Sequence, residues 1–268
     1  MSDVSDPARR LLVAVDMEHY RRRDNVLQFR AQAGLQSHVA TACMEVGLNR
    51  GDWDIQSSGD GQLVVLPEGV SERAVVARLA PALNRLLRQH NNGLDPVARI
   101  RMRVAVHEGL VHRDGANGWA GEAVVHVCRL VDSMEGKQAL DRFPQADVVL
   151  IVSNRIYHDV VRPYRDLRPD QFLSVSSRVN GKEGERAAWI YVPDENAALA
   201  GTSPESGHRR KVEQQAPGNP RGNRQVAPRE LAGRQVFHNV TTHGPAAFGN
   251  GNTVSGSSDS EYDLRGLQ

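Results

Sequence analysis

Apolar residues change their period several times before residue 195 and then thin out. LLVAVD, residues 11–16, is a short continuous apolar run, which predicts a central strand buried on both faces. Residues 24–47 place Val26, Phe29, Ala33, Leu35, Val39, Ala42, Cys43 and Val46 at helical spacing. DWDIQSS and QLVVLP flank a glycine turn and predict the two strands of a hairpin. Residues 71–90 carry Val75, Val76, Leu79, Ala80, Leu83, Leu86 and Leu87 on one stripe, opened by Ser71 as a cap with Glu72 in the first turn. RIRMRVAVHEGLV alternates basic and apolar residues, as a strand with one solvent face would. GEAVVHVCRLVDS predicts a helix beginning after Gly121. VVLIVS, NRIYHDVV and FLSVSSRVNGKEGERAAWIYVP then read as a strand, a short helix and a terminal hairpin. The β-α-β-β-α-β opening predicts an α+β fold with a ferredoxin-like core, its helices on one face of an antiparallel sheet.

After Asp194 the chain turns to Gly, Ser, Pro, Asn, Gln and Arg and cannot bury enough apolar surface to offset its chain entropy. The expected organisation is a flexible N-terminus over 1–10, a folded domain over 11–195, a disordered linker over 196–235, a distinct segment over 236–256 and a disordered end over 257–268. The net charge of +1 leaves no overall field for nucleic acid or membrane. The short basic run His208 to Lys211 does not change that expectation. Cys43 and Cys128 both fall in apolar helical patterns and read as reduced core thiols. The polar N-terminus has no apolar signal or span, so the expected location is cytoplasmic.

One acid stands out. Asp60 lies between two glycines in SSGDGQLVVLP, and Asp-Gly is also ordinary chemistry for a tight hairpin turn. In the predicted topology the strand ending at Asp16 lies beside that hairpin, which brings two carboxylates to one edge. Carboxylates held close repel, and a divalent cation or a shared proton relieves them. Arg21 to Arg23 follow in the next loop and read as a solvated surface run.

VAVDMEHY, then SSGDG, RMRVAVHEGLV, GEAVVHVCRLVDS and VNGKEGERAAWIYV resemble, in this order, the catalytic domain of class III adenylate and guanylate cyclases, over residues 11–192. The resemblance implies the ferredoxin-like core of that type and a head-to-tail dimer, with itself or with another cyclase-like chain. It implies a nucleoside triphosphate as ligand and a two-ion Mg²⁺ or Mn²⁺ site held by Asp16, Asp60 and the carbonyl of Met17. One ion would acidify the ribose 3′-hydroxyl and the other would bind the triphosphate. Arg129 matches the catalytic arginine that stabilises charge on the α-phosphate. Lys182 matches the lysine that meets the terminal phosphates, with three extra residues between it and Tyr191. His107 matches a strand-end histidine and reads as structural.

Other positions depart from the pattern. The ribose-orienting asparagine is replaced by Val125, and its neighbour His126 is turned to another helix face. The two base-reading positions carry Gln56 and Gly118. Loss of one preorganised polar group typically costs a factor of roughly a hundred to a thousand in rate. The expected function is therefore a divergent, dimeric, nucleotide- and metal-binding signalling module with weak or no cyclase activity. The alternative is an active cyclase with altered base selectivity.

Within 236–256, AFGNGNTV has the form apolar-Gly-x-x-Asn-x-apolar through Phe248, Gly249, Asn252 and Val254. It resembles the RIP homotypic interaction motif and bacterial amyloid signalling motifs, which implies cross-β assembly with a partner protein. Its place on a long tether suits a search for such a partner.

Overall fold

The computed structural model describes residues 6–116, 118–177 and 186–197. Its sheet has the order β2-β3-β1-β4-β6-β8-β7, with β1 at Ala8–Met17, β2 at Asp54–Ser58, β3 at Gly61–Val65, β4 at Met102–Gly115, β6 at Val148–Ser153, β7 at Leu173–Ser177 and β8 at Arg186–Tyr191. A short β5, Gly118–Ala120, pairs only with β4. β1 lies between β3 and β4, antiparallel to both, and β4 and β6 form a parallel pair.

The first helix, α1, spans Asn25–Glu45, and Asp24 caps it by accepting the Leu27 amide at 2.8 Å. Ser71 caps α2 (Glu72–Ala74), which runs through a π-helical turn, Val75–Leu79, into α3 (Ala80–Asn91). The expected order of elements to this point is the observed one. The mixed α+β fold is also as the sequence predicts.

The layering differs. Alternate residues of β1 enter two cores: Val13, Val15 and Met17 pack under α1 and α3, whereas Leu12 and Ala14 pack under α4 (Glu122–Val131) and α5 (Met134–Arg142). Helices therefore cover both faces, and the β4·β6 pair makes the sheet mixed. A continuous apolar strand demands this, because each face of it must be removed from water. The helix α5 is missing from the pattern reading because MEGKQALDR is mostly polar and buries only Gly136 and Leu140. Gly136 lets α5 lie close on the sheet, where a Cβ would stand 2.5 Å from Ile151 Cδ1 and push that side-chain end aside.

One expectation about the cysteines also changes. Cys43 is buried, but Cys128 is exposed on α4 and is no core thiol. A short helix α6, Asn154–Ile156, continues as a π-helical turn at Tyr157–Val161, whose Tyr157 stacks on Trp189 at 3.5 Å. This closes the sheet beside the last hairpin.

Candidate functional site

Asp16 stands near the end of β1, on the face that carries Leu12 and Ala14. Directly across on β4 is Arg103, a buried residue whose guanidinium pairs with the Asp16 carboxylate. Its Nε donates to the Val131 carbonyl at 2.9 Å, tying the acid to the end of α4. Burial pushes the Asp16 carboxyl from 3.8 to about 7; Arg103 opposes this, the charges of Asp60 and Asp132 add to it, and Lys137 opposes it again.

The hairpin brings the second acid. Ser58 and Gly61 are the last facing residues, so Gly59 and Asp60 form the turn, and neither has a left-handed backbone. Gly61 belongs to β3 instead. A Cβ there would lie 2.4 Å from the Val15 carbonyl oxygen and 3.5 Å from the Asp16 Cα. The glycine after the acid therefore permits close approach of β3 to β1 and supplies no turn conformation, which corrects the ordinary Asp-Gly reading. The Met17 amide donates to the Asp60 carbonyl at 2.8 Å. Asp16, Met17 and Asp60 are thus brought together by backbone pairing.

The following loop is pinned from below. Glu18 bonds through its amide to the Arg101 carbonyl at 2.8 Å, and its carboxylate pairs with the Arg101 guanidinium at 2.7 Å. Arg23 is buried and donates to the carbonyls of Glu18 at 3.0 Å and Arg99 at 2.6 Å. It is a structural clamp, which corrects the reading of Arg21 to Arg23 as one solvated run. Burial separates Arg23 from its exposed neighbours Arg21 and Arg22. Gln32 of α1 donates to the Tyr20 hydroxyl at 2.7 Å, and both side chains lie 3.7 Å from the Cβ position of Gly59. Glu18, His19 and Asp141 also place ligand atoms within 4.8 Å of one another, though Glu18 is already engaged with Arg101.

The remaining positions divide between α4 and the sheet edge. Gln56 meets Gly118: a Cβ at Gly118 would lie 2.6 Å from the Gln56 Nε2, and Gly118 has a φ of 106° that favours glycine. Val125 and Arg129, one turn apart on α4, are both exposed. His126 points inward, edge-on to His107 at 4.4 Å, while the His107 Nδ1 lies 2.9 Å from the Ser153 hydroxyl. Lys182 and the segment containing Phe248, Gly249, Asn252 and Val254 lie outside the described residues.

Arg103 and Arg101 are the residues that the pattern reading misses. It assigns the basic positions of RIRMR to solvent, whereas Arg103 is buried against Asp16 and Arg101 is largely buried against Glu18. The available signal is the match of two acids two residues apart, at and just past the end of β1, to two arginines two apart, at and just before the start of its antiparallel neighbour β4.

The donor set fits a divalent cation in its chemistry. Two carboxylates are held together, and one of them is costly to keep charged without a cation. Among the described residues no helix is long and apolar enough to cross a membrane.

No protein-family model matches the chain, and no curated protein matches it. Solved structures do. An adenylate/guanylate cyclase/hydrolase from Silicibacter pomeroyi superposes with a TM-score of 0.52 at 18% identity, covering 70% of this chain and 99% of that one. The adenylyl cyclase CyaB from P. aeruginosa gives 0.45 at 14% identity over 73% of this chain and 100% of that one. The guanylyl cyclase Cya2 gives 0.44 at 15% identity over 71% and 93%. The described unit has the fold of the adenylate/guanylate cyclase domain.

Proposed function

We propose that this chain is a divergent nucleotide- and metal-binding signalling module of the class III nucleotidyl cyclase type, dimeric, with weak or no cyclase activity. The observation that carries the reading is the placement of Asp16 beside Asp60 by the β1·β3 register and the Met17 to Asp60 bond. Asp16, Asp60 and the Met17 carbonyl would hold Mg²⁺ or Mn²⁺. Bound there, the ions would supply charge neutralisation for a triphosphate and acidification of a ribose hydroxyl.

The chain's own residues set how far chemistry proceeds. Arg103 holds Asp16 in place through its bond to Val131. Arg129 is exposed on α4, available to a phosphate presented by a second subunit. Val125, one turn away, offers no polar group to a ribose. Lys182 is the proposed ligand of the outer phosphates. The 11–195 unit is proposed as the nucleotide-binding domain and the 236–256 segment as an amyloid signalling motif that couples it to a partner protein. The juxtaposition of Gln56 with Gly118 favours one other reading, an active cyclase with altered base choice, because an amide offers both donor and acceptor to a base edge.

One preparation of the full chain tests both parts. Incubated with each of four ribonucleoside triphosphates and Mn²⁺, it is expected to bind by calorimetry and to yield little or no cyclic product by mass spectrometry, with binding lost in Asp60→Ala. Rapid turnover abolished by Asp60→Ala would establish the alternative, and absence of binding would refute both. On the same protein, thioflavin-positive assembly is expected and should disappear in Phe248→Asp; assembly unaffected by that change would remove the tail proposal.

A further inference from the structure

Apart from the paired acids, the fold builds a pocket where α3 ends, β6 begins and the chain leaves β8. Its volume is about 480 Å³, suited to a small molecule, and its lining is polar or charged except for Pro144. Asp16, Met17 and Asp60 take no part in it.

Asp147 gives this pocket its chemistry. It is 7% exposed, and two asparagines of α3 hold it: the Asn84 side-chain oxygen accepts the Asp147 amide at 2.9 Å, and the Asn91 Nδ2 donates to the Asp147 Oδ1 at 2.9 Å. Its Oδ2 has no hydrogen-bond partner, and the carboxylate no ion pair, among the described residues. Burial pushes this carboxyl above its ordinary value, against the Asn91 bond and the more distant charges of Arg101, Arg88 and Arg99. A buried acid in that state lacks a cation at close range.

The other walls narrow the ligand. Arg88 is already paired with Asp194 at 3.2 Å, an acid that also accepts from Asn84 at 3.2 Å. Glu195 has no ion pair among the described residues. Three carboxylates therefore line the pocket with two guanidiniums, and an anion would meet a surplus of its own sign. Asp147, Asp194 and Glu195 do not bring ligand atoms within 4.8 Å of one another, so a metal ion finds no three-ligand cage there. An ammonium group needs none, because its three donors serve separated acceptors.

We propose that this pocket binds a small primary amine, whose ammonium donates to Asp147 Oδ2 and to Glu195. Arg99, whose Nε donates to the Leu94 carbonyl at 3.3 Å, keeps its two terminal nitrogens for an oxygen at the other end of the amine, hydroxyl or carboxylate. The pocket shares backbone with the clamps of the loop after β1. The Arg99 carbonyl accepts from Arg23 at 2.6 Å, and Ala146, one residue before Asp147, accepts from the Arg101 that holds Glu18.

The test is calorimetry and ligand-observed NMR of the full chain with ethanolamine, L-serine and acetate at neutral pH and low salt. The two amines are expected to bind, and acetate is not. Asp147→Asn, which keeps an oxygen for Asn91, should weaken the amines by at least about tenfold, and Glu195→Gln by about three- to tenfold. A stronger response to L-serine would identify an amino acid and a stronger response to ethanolamine a simple amino alcohol; both support the site. Amine binding equal to wild type in both variants overturns the proposal, as does preference for acetate or failure of both amines to bind. Should Asp147→Asn unfold the chain, Glu195→Gln alone decides, since the Glu195 carboxylate makes no hydrogen bond or ion pair with a described residue.

Discussion

Val125→Asn is expected to raise the rate of cyclic-nucleotide formation by about a hundredfold over the wild-type chain. Val125 is 43% exposed on α4, one helical turn before Arg129, so an amide added there stands beside the guanidinium. In the cyclases that the sequence resembles, an asparagine at this position orients the ribose. One preorganised polar group of that kind is worth at least about 2.7 kcal/mol in a transition state. The substitution touches no core contact, and valine and asparagine differ little in helix propensity, so stability should hardly move. Mass spectrometry of the cyclic product with each of the four triphosphates and Mn²⁺ reads the outcome. An unchanged rate would show that Val125 is not what limits the chemistry, and attention would shift to Gln56 and Gly118.

The second large effect concerns stability. Asp16→Asn is expected to stabilise the metal-free protein at neutral pH by about 2–4 kcal/mol, even though it removes half of the proposed metal site. A carboxyl held at about 7 in the fold but near 3.8 in the open chain keeps its proton more tightly when folded. Between those two values the folded state binds more protons than the unfolded one, so the Asp16 contribution to stability falls as pH rises through the window. In chelator, wild-type melting should therefore gain from Asp16 as pH drops from about 7.5 toward 5, and the Asn variant should lack that gain. Asparagine still offers an oxygen to Arg103, so the buried guanidinium keeps a hydrogen-bond acceptor where it loses a carboxylate. A variant less stable than wild type at pH 7.5 would mean that the Arg103 pair outweighs burial, and that the acid is present for structure. Stability sacrificed at one carboxylate is what a binding site costs.

The strands and helices are legible in the sequence because burial imposes its period on them. LLVAVD reads as a two-sided strand, and the stripe from Val75 to Leu87 reads as a helix, because each must hide those positions from water. The pairing of Asp16 with Asp60 follows from the order of the elements alone. What the pattern misses lies where a polar residue faces another polar residue. Arg103 looks solvent-facing by alternation, yet the residue opposite it is an acid and the face above it is covered by α4. Arg23 follows two exposed arginines, yet it lies inside, capping two carbonyls. Periodicity reports which side of an element a residue occupies, and only the neighbouring strand or helix decides whether that side is wet.

Glycines show the same limit. Gly61 follows an acid in a turn-forming sequence, but its role is set by the Val15 carbonyl on the next strand. Gly118 reads as an absence at a base-reading position, whereas the fold fills that space with the Gln56 amide and a backbone angle suited to glycine. Neither fact is visible without the partner strand. Val125, by contrast, was legible as a departure from sequence alone, since the arginine four residues later fixes the helix face.

The central claim is that Asp16 and Asp60 together hold divalent cations. Its most direct measurement is a Mn²⁺ titration of the full chain by electron paramagnetic resonance, with wild type, Asp16→Asn and Asp60→Ala compared above pH 7, where proton competition at Asp16 is weakest. The account predicts loss of free-Mn²⁺ signal in the wild type, stronger as pH rises through about 7 and strengthened by nucleoside triphosphate, with at least a tenfold weaker response in either variant. Equal Mn²⁺ binding in all three proteins, or none in any, would contradict it.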